Sequence, residues 1–250
     1  MERILRKAGF RSLRSLKKPL LGTLNRARRM KFARKHKNTD WSRIIFSDKK
    51  IFRVRPGARV RCWVAPDDSR FKAKYTTPSG QKPEGVMVWA AMKSDGAICL
   101  RRCPQKMNSA AYHSVLQSAI GFIRPRCVPH WSHHPMGFCV RRGKGWKFQQ
   151  DGAPPHRSLS TQAFITRKKV IKFNAGFWPP MSPDLNPIEH LWPLVLRQLN
   201  GAVFSGKEQL WAALQEAFAA ITPAQVAKLY QSMPKRILAV RAAKGGATRY

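Results

Sequence analysis

Gly85-Val-Met-Val-Trp-Ala-Ala91 runs for seven residues without a polar side chain. A strand wetted on one face alternates apolar with polar residues. A run this continuous predicts a strand buried on both faces, in a sheet covered by helices. Downstream, Ser94-Asp-Gly96 makes a turn, and Ala97-Ile-Cys-Leu100 pairs back on the run. Asn108 caps a helix to about Phe122, with Tyr112, Val115, Leu116 and Ile120 on one side. Trp146-Lys-Phe-Gln-Gln150 reads as a strand ending at Asp151, Ser158 to Arg167 as a helix, and Val170-Ile-Lys-Phe173 as another short strand. Pro179 to Pro187 is a proline-rich loop leading into a helix, and 206–221 and 223–233 are two more helices. Upstream, Val60-Arg-Cys-Trp-Val64 and Ile51-Phe-Arg-Val54 alternate like strands of a meander, and Arg43-Ile-Ile-Phe46 is a short strand run followed by Ser47-Asp48. The order of elements predicts an α/β chain, a mixed sheet with helices packed on it.

Apolar residues make up 43 % of the 250 positions, enough for one sizeable core plus a small appendage and too many for a disordered basic tail. Lys and Arg number 48 against 12 Asp and Glu, a formal net charge of +36. Such a surplus attracts a polyanion and repels itself until one arrives, so nucleic acid is the first partner class. A membrane is set aside: no amphipathic helix carries the apolar face that lying in one requires, and no apolar run approaches the ~18 residues of a spanning helix. The N-terminus carries arginines but no apolar signal core, which argues against secretion. Cys62, Cys99, Cys103, Cys127 and Cys139 form no CxxC pair and read as free thiols in a reducing compartment. Cys127, His130, His133, His134 and Cys139 are zinc-type residues, but their spacing fits no compact finger, so no structural zinc is expected. Basic runs such as Arg26-Ala-Arg-Arg-Met-Lys31 are of the kind that serves nuclear import.

With so few acids, each position can be weighed. Asp40, Asp67, Asp68, Glu84, Asp95, Asp184, Glu208 and Glu216 sit in turns, loops or on helix surfaces, and Glu2 lies near the terminus. Asp48 and Asp151 each end an apolar strand, and Glu189 opens an amphipathic helix. A carboxylate near the middle of a sheet is costly unless it meets a cation. Hard divalent ions take oxygen ligands, and two of them about 4 Å apart can serve phosphodiester cleavage if carboxylates converge from different elements. Each residue also has a plainer reading. Asp48 and Asp151 suit turns, and Asn186-Pro-Ile-Glu189 is a well-formed helix start with Asn at the cap and Glu reaching back. Ile188, Leu191, Trp192, Val195, Leu196 and Leu199 form that helix's core stripe, and Pro193 should bend it or begin a second helix. His156 reads equally as a phosphate neighbour and as a surface residue.

Trp-Ser-Arg-Ile-Ile-Phe-Ser-Asp48, Gln-Gln-Asp-Gly-Ala-Pro-Pro-His156 and Ser-Pro-Asp-Leu-Asn-Pro-Ile-Glu-His-Leu-Trp192 resemble the three signature blocks of the Tc/mariner superfamily of DNA transposases. Ser232-Met-Pro-Lys-Arg-Ile237 and Gly245-Gly-Ala-Thr-Arg-Tyr250 resemble that family's C-terminus, so the likeness runs from about Ser15 to Tyr250. Two features depart from the family pattern: Lys49 stands where an acid is usual, and 37 residues separate Asp151 from Glu189, slightly more than is common. The loop around Asn174-Ala-Gly-Phe177 would absorb the excess.

The resemblance implies a ribonuclease H-like fold with a mixed five-stranded sheet, flanking helices and a short basic helical N-terminal segment. It implies a cut-and-paste transposase, hydrolysing a phosphodiester and then joining the freed 3′-hydroxyl to target DNA. Asp48, Asp151 and Glu189 would hold two Mg²⁺ or Mn²⁺ ions. Double-stranded DNA, both transposon ends and target, is the expected partner, with a homodimer as the active form, no membrane, and the nucleus as location. Expected divisions are 1–40, a basic helical remnant of a DNA-binding region with its linker; 41–203, the catalytic domain; and 204–250, C-terminal helices and tail. Within 1–40, Glu2 to Lys7 would end one helix with Gly9 as its cap, and Leu24 to Lys35 would form another. Two helix-turn-helix units do not fit ahead of Trp41, so an N-terminally truncated chain without specific end recognition is expected. The alternatives are a catalytically inactive, transposon-derived DNA-binding protein, for which Lys49 and the short N-terminus speak, and an unrelated basic RNA-binding protein.

Overall fold

The apolar run opening at Gly85 is the second strand of a sheet with four strands among the described residues. The computed structural model describes residues 21–54, 84–123 and 145–250. In chain order these form α1 (Thr23–Lys35), β1 (Ile44–Arg53), β2 (Gly85–Met92), β3 (Ile98–Cys103), α2 (Ser109–Ser118), α3 (Ile120–Ile123) and β4 (Lys147–Phe148). There follow α4 (Pro154–Arg157), α5 (Leu159–Arg167), α6 (Leu191–Leu199), α7 (Lys207–Ala219), α8 (Pro223–Gln231) and α9 (Met233–Ala242). The strand order is β3-β2-β1-β4; β1 pairs antiparallel with β2 and parallel with β4, and β3 pairs antiparallel with β2. The sheet is therefore mixed, as expected, and the β2–β3 turn is the one read at Ser94-Asp-Gly96. Gly96 sits there at φ +93 with its α-hydrogen side against Pro223, where a side chain would collide.

Two strand readings change. Arg43–Phe46 and Ile51–Val54 are parts of one ten-residue strand, because the ladder to β2 continues through Lys49 and Lys50 opposite Trp89 and Val88. Asp48 is thus in mid-strand, not at a strand end. Val170–Phe173 supplies one parallel bridge, Lys172 to Phe148, and not a strand of its own. It is bounded by Lys169, Asn174 and Ala175, all with positive φ, which turn the backbone out of the extended conformation on both sides. The Val60–Val64 strand, the Glu2–Lys7 helix and the Cys127–Cys139 group lie outside the described residues.

Strand alternation divides the apolar residues between two faces. Ile45, Trp89, Ala91 and Phe148 face α2 and α5 through Tyr112, Val115, Leu116 and Ile165. Ile44, Phe46, Phe52, Val88 and Ala90 face the other side, where α6, α7, α8 and α9 pack. α1 belongs to this second core: Phe32 and Ala33 are buried in it, and Arg29 is fully buried. Arg29 donates to both carboxylate oxygens of Asp184, at 2.7 and 2.6 Å, and to the carbonyls of Gly245 and Gly246. Asp184 also accepts from Thr248, and the Arg236 guanidinium donates to its backbone carbonyl. Among the described residues no helix is long and apolar enough to cross a membrane.

Candidate active site

Asp48, Asp151 and Glu189 line one cavity of about 600 Å³. They reach it from a strand centre, a strand end and a short helical turn. Asp48 lies opposite Ala90, and alternation with Phe46 and Phe52 directs it to the face where residues 187–190 pack. Asp151 follows β4 by three residues. Glu189 is carried by a 3-10 turn, Pro187–His190, that precedes α6. The helix expected from Asn186 is therefore two pieces, with Pro193 in the first turn of the second.

Three buried polar residues near the carboxylates lock these segments together. The Ser47 hydroxyl donates to the Gln149 carbonyl at 2.7 Å, and the Ser47 amide donates to the Gln149 side-chain oxygen at 3.1 Å. The Asn186 side chain donates to the Ser47 carbonyl at 3.2 Å and accepts from the Ile188 amide. Ser47, Gln149 and Asn186 are thus a latch between the strand and the two other blocks. The sequence reading had given Asn186 a capping role and had assigned nothing to Ser47 or Gln149. Asn186 makes the expected cap bond; Glu189 faces Asp48.

The electrostatics follow from this crowding. Burial first, and then the Glu189 carboxylate, push Asp48 up to about 7. Asp151 moves the other way. Burial works to raise it, but the His156 side chain and the Ala153 amide, both bonded to its carboxylate, outweigh that and hold it below the usual range. His156 is buried, stacked on Tyr112 with ring centroids 4.1 Å apart, and its carbonyl accepts from Gln150 and Gln162. It is a positioning residue for Asp151, a role its sequence context did not reveal. Lys49 adjoins Asp48 in sequence yet lies on the opposite face of the sheet, where its charge acts on Asp151 and on the Cys103 thiol. Among the described residues no three His, Cys, Asp or Glu side chains form a ready-made metal cage, so the three carboxylates share a cavity without converging on one point.

Between the second and third blocks, Phe173–Gly176 forms a 3-10 turn in which Asn174 and Ala175 both adopt left-handed backbone. The loop that follows supplies the cavity's other wall, through Phe177, Trp178 and Pro179 to Pro183.

Residues 43–211 match the family described as DDE superfamily endonuclease. The chain is 34 % identical over 255 residues to the Tc1 transposase of Caenorhabditis elegans, covering all of this chain and 87 % of that protein. It is 33 % identical to the Tcb1 transposase of Caenorhabditis briggsae, with the same coverage. Its fold matches that of the Mos1 transposase in a paired-end complex with the left transposon end, with a TM-score of 0.72 at 19 % identity over 99 % of this chain and 70 % of that one. Mos1 paired-end complexes solved with Mn and with Mg match at TM-scores of 0.72 and 0.66. The fold is thus the mixed α/β, ribonuclease H-like one, and the chain belongs to the DDE superfamily endonucleases, among the transposases of the Tc1/mariner type.

Proposed function

We propose that this chain cleaves DNA at transposon ends and transfers the freed strand to target DNA, with Asp48, Asp151 and Glu189 holding two Mg²⁺ or Mn²⁺ ions. The observation that carries this reading is the meeting of carboxylates from three separate sequence blocks in one cavity. The donor set suits the ions: all ligands are hard carboxylate oxygens, and the burial and then the Glu189 charge that together push Asp48 up to about 7 are what a divalent cation relieves. His156, bonded to Asp151, holds that carboxylate ionised and ready for a cation. Two ions bound there would activate the attacking oxygen and stabilise the leaving one.

The chain's other residues bind and orient. Arg28 and Arg157 line the cavity as cations for the phosphates beside the scissile one. Trp178 and the Pro179–Pro183 loop form another wall of it. The proposed substrate is double-stranded DNA, with the Mos1 paired-end complex with a transposon end as the precedent, and a homodimer is the proposed working assembly. The nucleus is the proposed site of action. Residues 41–203 would carry the chemistry, with 204–250 as its support.

Asp48→Asn, Asp151→Asn and Glu189→Gln are each expected to abolish Mg²⁺- or Mn²⁺-dependent nicking while leaving DNA affinity equal or tighter. Full activity in any one variant would remove that residue from the set. A wild-type chain that binds duplex but never nicks it with either metal would be the inactive, transposon-derived DNA-binding protein.

A further inference from the structure

Two more cavities adjoin the catalytic one, and each shares walls with the next. Arg28 and Phe177 line both the catalytic cavity and a second one of about 390 Å³ along α1. Lys35 and Asn174 line both that cavity and a third of about 720 Å³, which opens between Lys147 and Lys172. The three form one groove. Its walls past the carboxylates are cationic: Arg28, Lys31 and Lys35 along α1, then Lys147 and Lys172. Among the described residues the one acid lining the two outer cavities, Asp40, is paired with Arg43 at 3.2 Å. Lys35 and Lys172 donate to the neutral oxygens of Asn174 and Gln162, which orient the ammonium groups without cancelling their charge. Arg28, Lys31 and Lys35 fall at i, i+3 and i+7 and are exposed, whereas Arg29, Phe32 and Ala33 on the other side of α1 are locked into the core. The basic stripe is therefore presented by a helix that cannot roll.

The geometry points to a DNA track: the backbone of the DNA whose scissile phosphate lies at Asp48, Asp151 and Glu189 continues along α1 past Arg28, Lys31 and Lys35 into the cavity between Lys147 and Lys172. The inference rests on the function proposed above in taking DNA as the occupant. The dimensions agree. Arg28 to Lys35 advances roughly 10 Å along the helix axis, about three phosphate steps of one DNA strand.

The test is equilibrium binding of duplex DNA by the Asp151→Asn chain in EDTA, so that no cleavage enters. The pairs Lys31→Glu/Lys35→Glu and Lys147→Glu/Lys172→Glu are compared with Lys228→Glu/Lys235→Glu, two exposed lysines on α8 and α9 away from the groove. Circular dichroism and melting establish that each variant is folded. Each groove pair should weaken binding about tenfold or more and flatten the slope of log K against log salt by about 2, as two phosphate contacts are lost. The control pair should change both far less. Equal weakening by all three pairs would reduce the effect to overall charge and overturn the track, as would groove pairs that bind like the parent. The two readings fail separately. A chain that binds through the groove but never nicks with metal sinks the enzymatic reading alone; one that nicks yet ignores the groove variants sinks the track alone.

Discussion

Asp48 is a group the metal-free fold holds at a disadvantage. Its folded value of about 7 lies above the ordinary 3.8, so the native state keeps a proton that the unfolded chain gives up. Stability from this group is therefore present at low pH and is lost as pH rises from about 4 through about 7. Asp48→Asn should accordingly melt higher than wild type in EDTA at pH 8, by ~1–3 kcal/mol, with the gap shrinking toward pH 4 and on adding excess Mg²⁺ at pH 8. Thermal melts across pH would check this; a gap independent of pH would show that Asp48 carries no such burden. Asp184 is the opposite case. Burial works against its charge, yet the Arg29 guanidinium and Thr248 hold its carboxyl below the usual range. Asp184→Ala leaves Arg29 charged and fully buried, and should cost about 3–5 kcal/mol in urea unfolding. A loss under about 1 kcal/mol would mean that Arg29 finds water or another partner.

At the scale of elements, β1 is the spine on which the site is hung, and the Ser47 latch fixes the other two segments to it. Asn186→Ala removes both the helix cap and the bond to Ser47, and should cost about 1–2 kcal/mol. Because it shifts Glu189 and spares the basic groove, cleavage should slow by about tenfold or more while DNA affinity stays within about twofold. A parallel loss of both would make the latch merely a stabiliser. The elements were largely legible because their apolar periods are clear: β2, β3, α2 and α5 begin and end within a few residues of where the pattern puts them. The three carboxylates could be picked out because each sits in a block that resembles a family signature, and all three line one cavity. What was not legible depends on contacts between distant positions. Lys49-Lys50 looked like the end of a strand, and only the pairing with Trp89 and Val88 shows that the ladder continues through them. Asp184 looked like an ordinary loop acid; its partner Arg29 lies 155 positions away, inside a run that reads as a basic surface signal. His156 was ambiguous until Tyr112 and Asp151 enclosed it.

For the whole molecule, one apolar cluster runs from Phe32 on α1 to Val240 on α9, so N-terminal helix, sheet and C-terminal helices share a core. Around it lies a net charge of +36 that no internal pairing balances. Raising NaCl from about 0.05 to 0.5 M should therefore raise the melting temperature, by roughly 2–4 °C for about 1 kcal/mol of relieved repulsion. Scanning calorimetry in the absence of DNA would measure it, and a flat or falling value would show that self-repulsion does not burden this fold. The hydrogen bond from Thr248 to Asp184 also sets a timetable for synthesis. Asp184 and Thr248 are 64 positions apart, and at roughly 5–20 residues per second a ribosome needs roughly 3–13 s to travel from one to the other. Until it has done so, the loop that presents Glu189 lacks part of its seat.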